Sequence, residues 1–168
     1  MLVSIVQHTP PWVWGLLTAL LCLGLWQRRT RRVAPVALLG LPLGLLALGL
    51  WSMLPGFIAQ PITALLWAAA WLSMLTWARH WPAPRGTRWL EAEGRLQLPG
   101  SWLPLALIIA IFGLRYASAA SQALHPQWSS LLAFQAPLAL GFGGLAGVFL
   151  GRALSLLALA RPATALDT

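Results

Sequence analysis

The sequence predicts an all-α membrane protein: a five-transmembrane-helix bundle, N-terminus out and C-terminus in, with a short cytoplasmic loop or β-hairpin between helices 3 and 4. Three observations carry that prediction. The 168-residue chain is 59% hydrophobic and 8% charged, whereas a soluble domain carries about 25% charged residues. Five stretches are nearly free of charge, each close to the roughly 20 residues that cross a hydrocarbon core. The arginines gather at alternate ends of those stretches, which puts them on one side of a bilayer.

The chain reads as a single integral membrane domain, 1–168, with helices at about 10–27, 33–54, 58–79, 101–122 and 128–157 and a loop at 80–100. The first helix opens at "HTPPWVW", where Thr9 suits an N-cap and Pro10 a first helical position, and it stops at "QRRTRR". Its charges follow the apolar run instead of preceding it, so it reads as a retained span and not as a cleaved signal peptide. The second carries Pro42 within "GLPLG", which predicts a bend. "PGFIAQP" then turns the chain into the third, which ends at "TWARHW". The fourth runs from Ser101 to Gln122, and "ALHPQ" turns it into the fifth, which Pro137 should kink.

Orientation follows from counting arginines. Four (Arg28, Arg29, Arg31, Arg32) lie between the first and second spans. Four more (Arg79, Arg85, Arg88, Arg95) lie between the third and fourth, and two (Arg152, Arg161) end the fifth. These ten share one side, and the other side has none, a bias that marks the arginine side as cytoplasmic. Trp12, Trp14, Trp51 and Trp128 fall at the outer ends, and Trp26, Trp77, Trp81 and Trp102 at the inner ends, as interfacial belts do. Trp67 and Trp71 fall at mid-depth, four residues apart, and read as packing residues, with a ligand-stacking pair as the alternative.

Within the loop, "TRWLE" and "RLQL" flank a turn at Ala92, Glu93 and Gly94, the pattern of a short hairpin. In the fifth span Gly143, Gly147 and Gly151 repeat every four residues, a smooth helix-packing stripe that lets another helix approach closely. Intramolecular packing and a homodimer seam both fit it.

Arg115 is the residue without a bland explanation. It stands inside the fourth span, about 10 Å from the outer boundary. The carboxylates, Glu91, Glu93 and Asp167, all belong to the cytoplasmic side. Counted outward from the "ALHPQ" turn, Gln135 should match its depth on the next helix, while Ser118 and Gln122 stand one and two turns above it. Arg115, Ser118, Gln122 and Gln135 thus form a candidate ligand-binding vestibule. Three uses stay open: a polar network inside the bundle, contact with a lipid headgroup, and binding of a small anion.

Other classes find little support. Eleven arginines and no lysine would suit nucleic acid in a soluble protein, but at span ends they read as topology determinants. Cys22 stands alone, so no C-x-x-C pair or cysteine metal cluster exists. His8 and His125 share the outer face and could pair on a metal or haem, but both flank prolines in boundary segments and do not project into a membrane cavity; His80 lies on the inner face, and no metal or cofactor is expected. No nucleophile–histidine–acid set or phosphate loop is present, so no enzyme is expected.

"IVQHTPPWVW", "LQLPGSWLPLALIIAIFGLRY" and "FLGRAL" resemble the corresponding parts of a small bacterial multi-pass inner-membrane family of unknown function. Some of its members resemble a cytochrome c biogenesis-associated membrane protein. The resemblance spans nearly the whole chain and implies a multi-pass protein of the bacterial inner membrane, with no activity attached. The expected role is a structural or accessory membrane component. Its expected partners are the lipid bilayer and either a second copy or another membrane protein. The alternative is a small anion- or lipid-binding, permease-like protein using the Arg115 vestibule.

Overall fold

The computed structural model describes residues 11–26 and 30–159. The expectations for His8, Thr9, Pro10, Arg28, Arg29, Arg161 and Asp167 lie outside them. The described chain is mostly helical: α1 (Pro11–Trp26), β1 (Arg31–Val33), α2 (Ala37–Ala59), α3 (Pro61–Arg79), β2 (Arg88–Leu90), β3 (Arg95–Leu98), α4 (Leu103–Leu124) and α5 (Leu132–Ala158). Three of these, α3, α4 and α5, are each long and apolar enough to cross a membrane. α2 makes a fourth if its arms, Ala37–Trp51 and Met53–Ala59, bent by 44°, form one span.

Several boundaries differ from expectation for identifiable reasons. Residues 33–36 are not helical, because Arg31–Val33 is a strand. Pro55 does not end α2, and the helix runs on to Ala59 with a 2.9 Å bond from Gln60 N to Gly56 O. A proline removes one backbone donor and bends a helix, but i→i−4 bonding can resume beyond it. The turn at 55–60 therefore shrinks to Gln60. At the other hairpin Pro126–Ser130 forms a 3₁₀ turn, so α5 starts at Leu132, not 128.

α3 packs along the length of α5, and this pair organises the bundle. α2 leans on α5, and α1 on α4, where Gly24 closes on Leu105. A small core of Leu107, Ile108 and Phe149 joins α4 to α5, and Leu41 and Leu45 of α2 press on it.

The strands form one antiparallel sheet in the order β1-β3-β2. Trp89 pairs with Leu96 across β2 and β3, and Arg32 with Gln97 across β1 and β3. Gly94 closes the β2–β3 turn with φ +58°, a left-handed conformation that a side chain resists. Leu96 and Leu98 are buried against the bundle while Arg95 faces out, so period-two alternation gives the sheet an apolar underside. The sheet covers one end of the bundle, where α2 and α4 begin and α3 and α5 finish. At the opposite end the Gln60 side-chain amide donates a hydrogen bond to the Ser130 carbonyl and joins the two turns.

Candidate functional site

The glycine stripe is a close backbone contact between α5 and α3. A Cβ on Gly143 would stand 2.3 Å from the Trp67 carbonyl oxygen, one on Gly147 2.3 Å from that of Trp71, and one on Gly151 2.5 Å from that of Leu75. All three are buried and face α3 backbone, so the stripe is used for packing within the chain. Trp67 and Trp71 lie on that same helix, stacked 6.1 Å apart at 8°. Trp67 packs within the bundle: it is buried and also tilts against Phe57 of α2.

The predicted vestibule does not assemble into a network. Arg115 is exposed, and its guanidinium has no hydrogen bond or ion pair among the described residues. Ser118 is buried instead, its hydroxyl donating 2.8 Å to the carbonyl of Arg115 one turn back. Gln135 donates its amide 2.9 Å to the Ser129 carbonyl, closing the start of α5, and its Oε1 faces Gly56 of α2. Gln122 is half-buried and contacts none of the other three through a hydrogen bond.

The reason is depth. Because the 3₁₀ turn takes up Pro126–Ser130, Gln135 lies about 4–5 Å inside its helix start and Arg115 about 13 Å inside its helix end. Counting residues from an assumed turn centre matched two levels that are roughly 9 Å apart. Tyr116, the next residue, stacks on Phe112 at 6.3 Å. Of the histidines, His125 stacks on Trp128 at 4.2 Å and His80 meets the Thr76 carbonyl through Nδ1 at 2.6 Å.

The arginine that is held is Arg152. It stands in α5 six residues before the helix ends. Its Nη1 donates to the carbonyls of Trp81 at 3.1 Å and Pro82 at 2.8 Å, with Ser155 Oγ at 3.4 Å. The loop after α3 is thereby tied to α5. Prolines at 82 and 84 keep that loop from forming a ladder, which leaves carbonyls for a side-chain donor. At the sequence level Arg152 counts only as a topology marker. The one signal of more is its place inside "FLGRAL", within the helix and not beyond it.

Arg152 and Arg31 of β1 both line a cavity of about 130 Å³ beneath the sheet. Burial lowers the pKa of Arg31 from its ordinary value, yet a guanidinium stays protonated at any physiological pH. Nearby, Arg32 pairs with Glu93 at 2.6 Å, an exposed pair of the kind that adds about 0–1 kcal/mol.

Neither a curated protein nor a solved structure matches the chain. Nothing supports the likeness to a cytochrome c biogenesis-associated protein. The family match is with a family of unknown function, DUF6622, over residues 1–166, and the chain belongs to that family.

Proposed function

We propose that the chain is a structural or accessory component of a bacterial inner membrane, crossing it five times with the N-terminus outside and the C-terminus in the cytoplasm, and without catalytic activity of its own. The outward faces of the helices carry the reading. Leu48, Trp51, Ile58, Leu65 and Leu72 are each more than half exposed, with Trp51 at 78%. Such a surface is costly in water and natural in hydrocarbon.

Charge supports the orientation. Arg31, Arg32, Arg79, Arg85, Arg88, Arg95 and Arg152 all belong to the sheet end, and Arg115 alone among the described arginines lies toward the other. A periplasm-active reporter fused after Gln127 should be active and one fused after Arg95 inactive, with the protein resisting alkaline extraction from membranes. The reverse reporter pattern overturns the orientation, and extraction into the soluble fraction overturns the membrane assignment.

A second reading, an anion- or lipid-binding role at Arg115, draws support from that guanidinium's exposure without a protein acceptor among the described residues. An anion from the outer side would then supply the missing charge. Retention of phosphate or anionic lipid that Arg115→Gln abolishes is its expected sign, and retention unchanged by that substitution refutes it.

A further inference from the structure

The cavity under the sheet combines two chemistries in one space. Arg31, Arg152 and Ser101 line it, and no residue lining it is acidic. Much of the remaining lining is apolar, with Leu41 of α2, Leu107 of α4 and Phe149 of α5. The first turns of α2 and α4 also line it, so two helices present their positive ends to the same space. The first N–H groups of α2 are already bonded to the carbonyls of Ala34, Pro35 and Val36, so α2 contributes its dipole and not free donors. α5 ends on the opposite polarity, and Arg152 stands in its last two turns, where a cation offsets that end.

A purely apolar cavity of this size would stay empty or take an apolar guest, and a purely cationic one would take a hydrated anion. Cations and hydrocarbon in one lining fit a molecule having both parts. We propose that this cavity seats an anionic phospholipid, its phosphate on Arg31 and Arg152 and the start of an acyl chain against Leu41, Leu107 and Phe149. At about 130 Å³ the space admits the phosphate and the first carbons, and the rest of the lipid lies in the bilayer. This rests on the membrane reading, and it adds a specific lipid site at the arginine-rich end, distinct from Arg115.

The test uses the full chain purified from membranes in a non-ionic detergent. Phosphatidylglycerol, phosphatidylcholine with the same acyl chains, and inorganic phosphate are titrated separately, and bound species are counted by native mass spectrometry. Phosphatidylglycerol should bind at least about tenfold more tightly than phosphatidylcholine, and Arg31→Gln should remove about that factor, as loss of one charge-assisted contact does. Leu38→Trp, which fills the cavity without touching a charge, should weaken binding similarly. Arg88→Gln, an exposed arginine outside the cavity, should leave it unchanged.

Equal binding of the two lipids, or full binding by Leu38→Trp, overturns the proposal. Equally effective binding of inorganic phosphate overturns the lipid assignment. Recovery of the chain from the membrane fraction, with none of these preferences, refutes the lipid site and leaves the membrane reading standing.

Discussion

Gly147→Ala is the sharpest test of how the bundle is held together. The new Cβ would lie 2.3 Å from the Trp71 carbonyl oxygen, 3.0 Å from Leu75 N and 3.1 Å from Met74 Cβ. An ordinary contact needs about 1 Å more, and the two nearest atoms are backbone, which no rotamer change can move. α3 and α5 must separate, and because Gly143 and Gly151 fit α3 equally closely, the whole row loosens. Overpacking of this kind costs about 1–3 kcal/mol. A gap of 0.5–1 Å along the row forfeits about a quarter to a half of each dispersion well. Alanine's better helix propensity returns about 0.5–1 kcal/mol. The expected net loss is about 2 kcal/mol, read as a shift in reversible unfolding in mixed micelles. Gly44→Ala is the control: nothing lies within 4 Å of its Cβ position, so only the propensity gain of about 0.5–1 kcal/mol remains. Met74→Ala should not rescue Gly147→Ala, since the obstruction is main chain. If Gly147→Ala is as stable as Gly44→Ala, α3 and α5 do not meet along the stripe and the packing argument fails.

Further expectations follow from the same geometry. Arg152→Leu removes the donor shared by the Trp81 and Pro82 carbonyls and should cost about 1–3 kcal/mol in the same unfolding assay; an unchanged midpoint would show those bonds to be incidental. Gly94→Ala forces a side chain into φ +58° and should destabilise the β2–β3 turn by about 1–2 kcal/mol. Hydrogen exchange at Leu96 and Leu98 should quicken, whereas Gly94→Asn should be milder because Asn tolerates that conformation. Gly141→Ala meets only the end of the Leu114 side chain, at 2.8 Å. Its cost should therefore vanish in combination with Leu114→Ala, unlike that of Gly147→Ala. Arg115→Leu should insert at least as well as the natural chain and lose no stability, since no described acceptor is left behind; a loss above about 1 kcal/mol would reveal a protein partner for the guanidinium.

The apolar segments were legible because hydropathy reports on a solvent, and a span of suitable length needs no tertiary information. What sequence could not supply were relations between segments. The four-residue period of Gly143, Gly147 and Gly151 shows a face able to approach another helix. That the partner is α3, which α4 separates from α5 in the chain, depends on how all the helices assemble. β1 is harder still. Arg31, Arg32 and Val33 lie in a run of charge that reads as a topology signal, and they become a strand only because Leu96, Gln97 and Leu98, over sixty residues away, offer a free edge. The Arg115–Gln135 pairing failed on something smaller. Depth in a helical hairpin is fixed by how many residues the turn consumes, and a 3₁₀ turn over Pro126–Ser130 consumed more than assumed.

Arg152 and Arg115, both well inside their helices, show how a guanidinium is kept among apolar helices. Arg152 finds carbonyls in a proline-rich loop, which satisfy its donors but not its charge, since a neutral acceptor leaves the full cation behind. Arg115 finds no described acceptor at all. A chain with eleven arginines and three acidic residues cannot neutralise itself, so most of its positive charge must be balanced from outside. In a membrane the anions at hand are headgroups, and the described arginines other than Arg115 collect at the end where α2 and α4 begin, beside the cavity. Orientation and lipid binding would then have one electrical cause, but they are separable. Arg31→Gln leaves in place nine of the ten arginines that the proposed topology puts in the cytoplasm, so reporter topology should not change while lipid retention falls. If topology inverts with that single substitution, the arginines act as individual anchors and not as a summed bias. If retention survives it, the charge at the sheet end is diffuse and the cavity holds no defined headgroup.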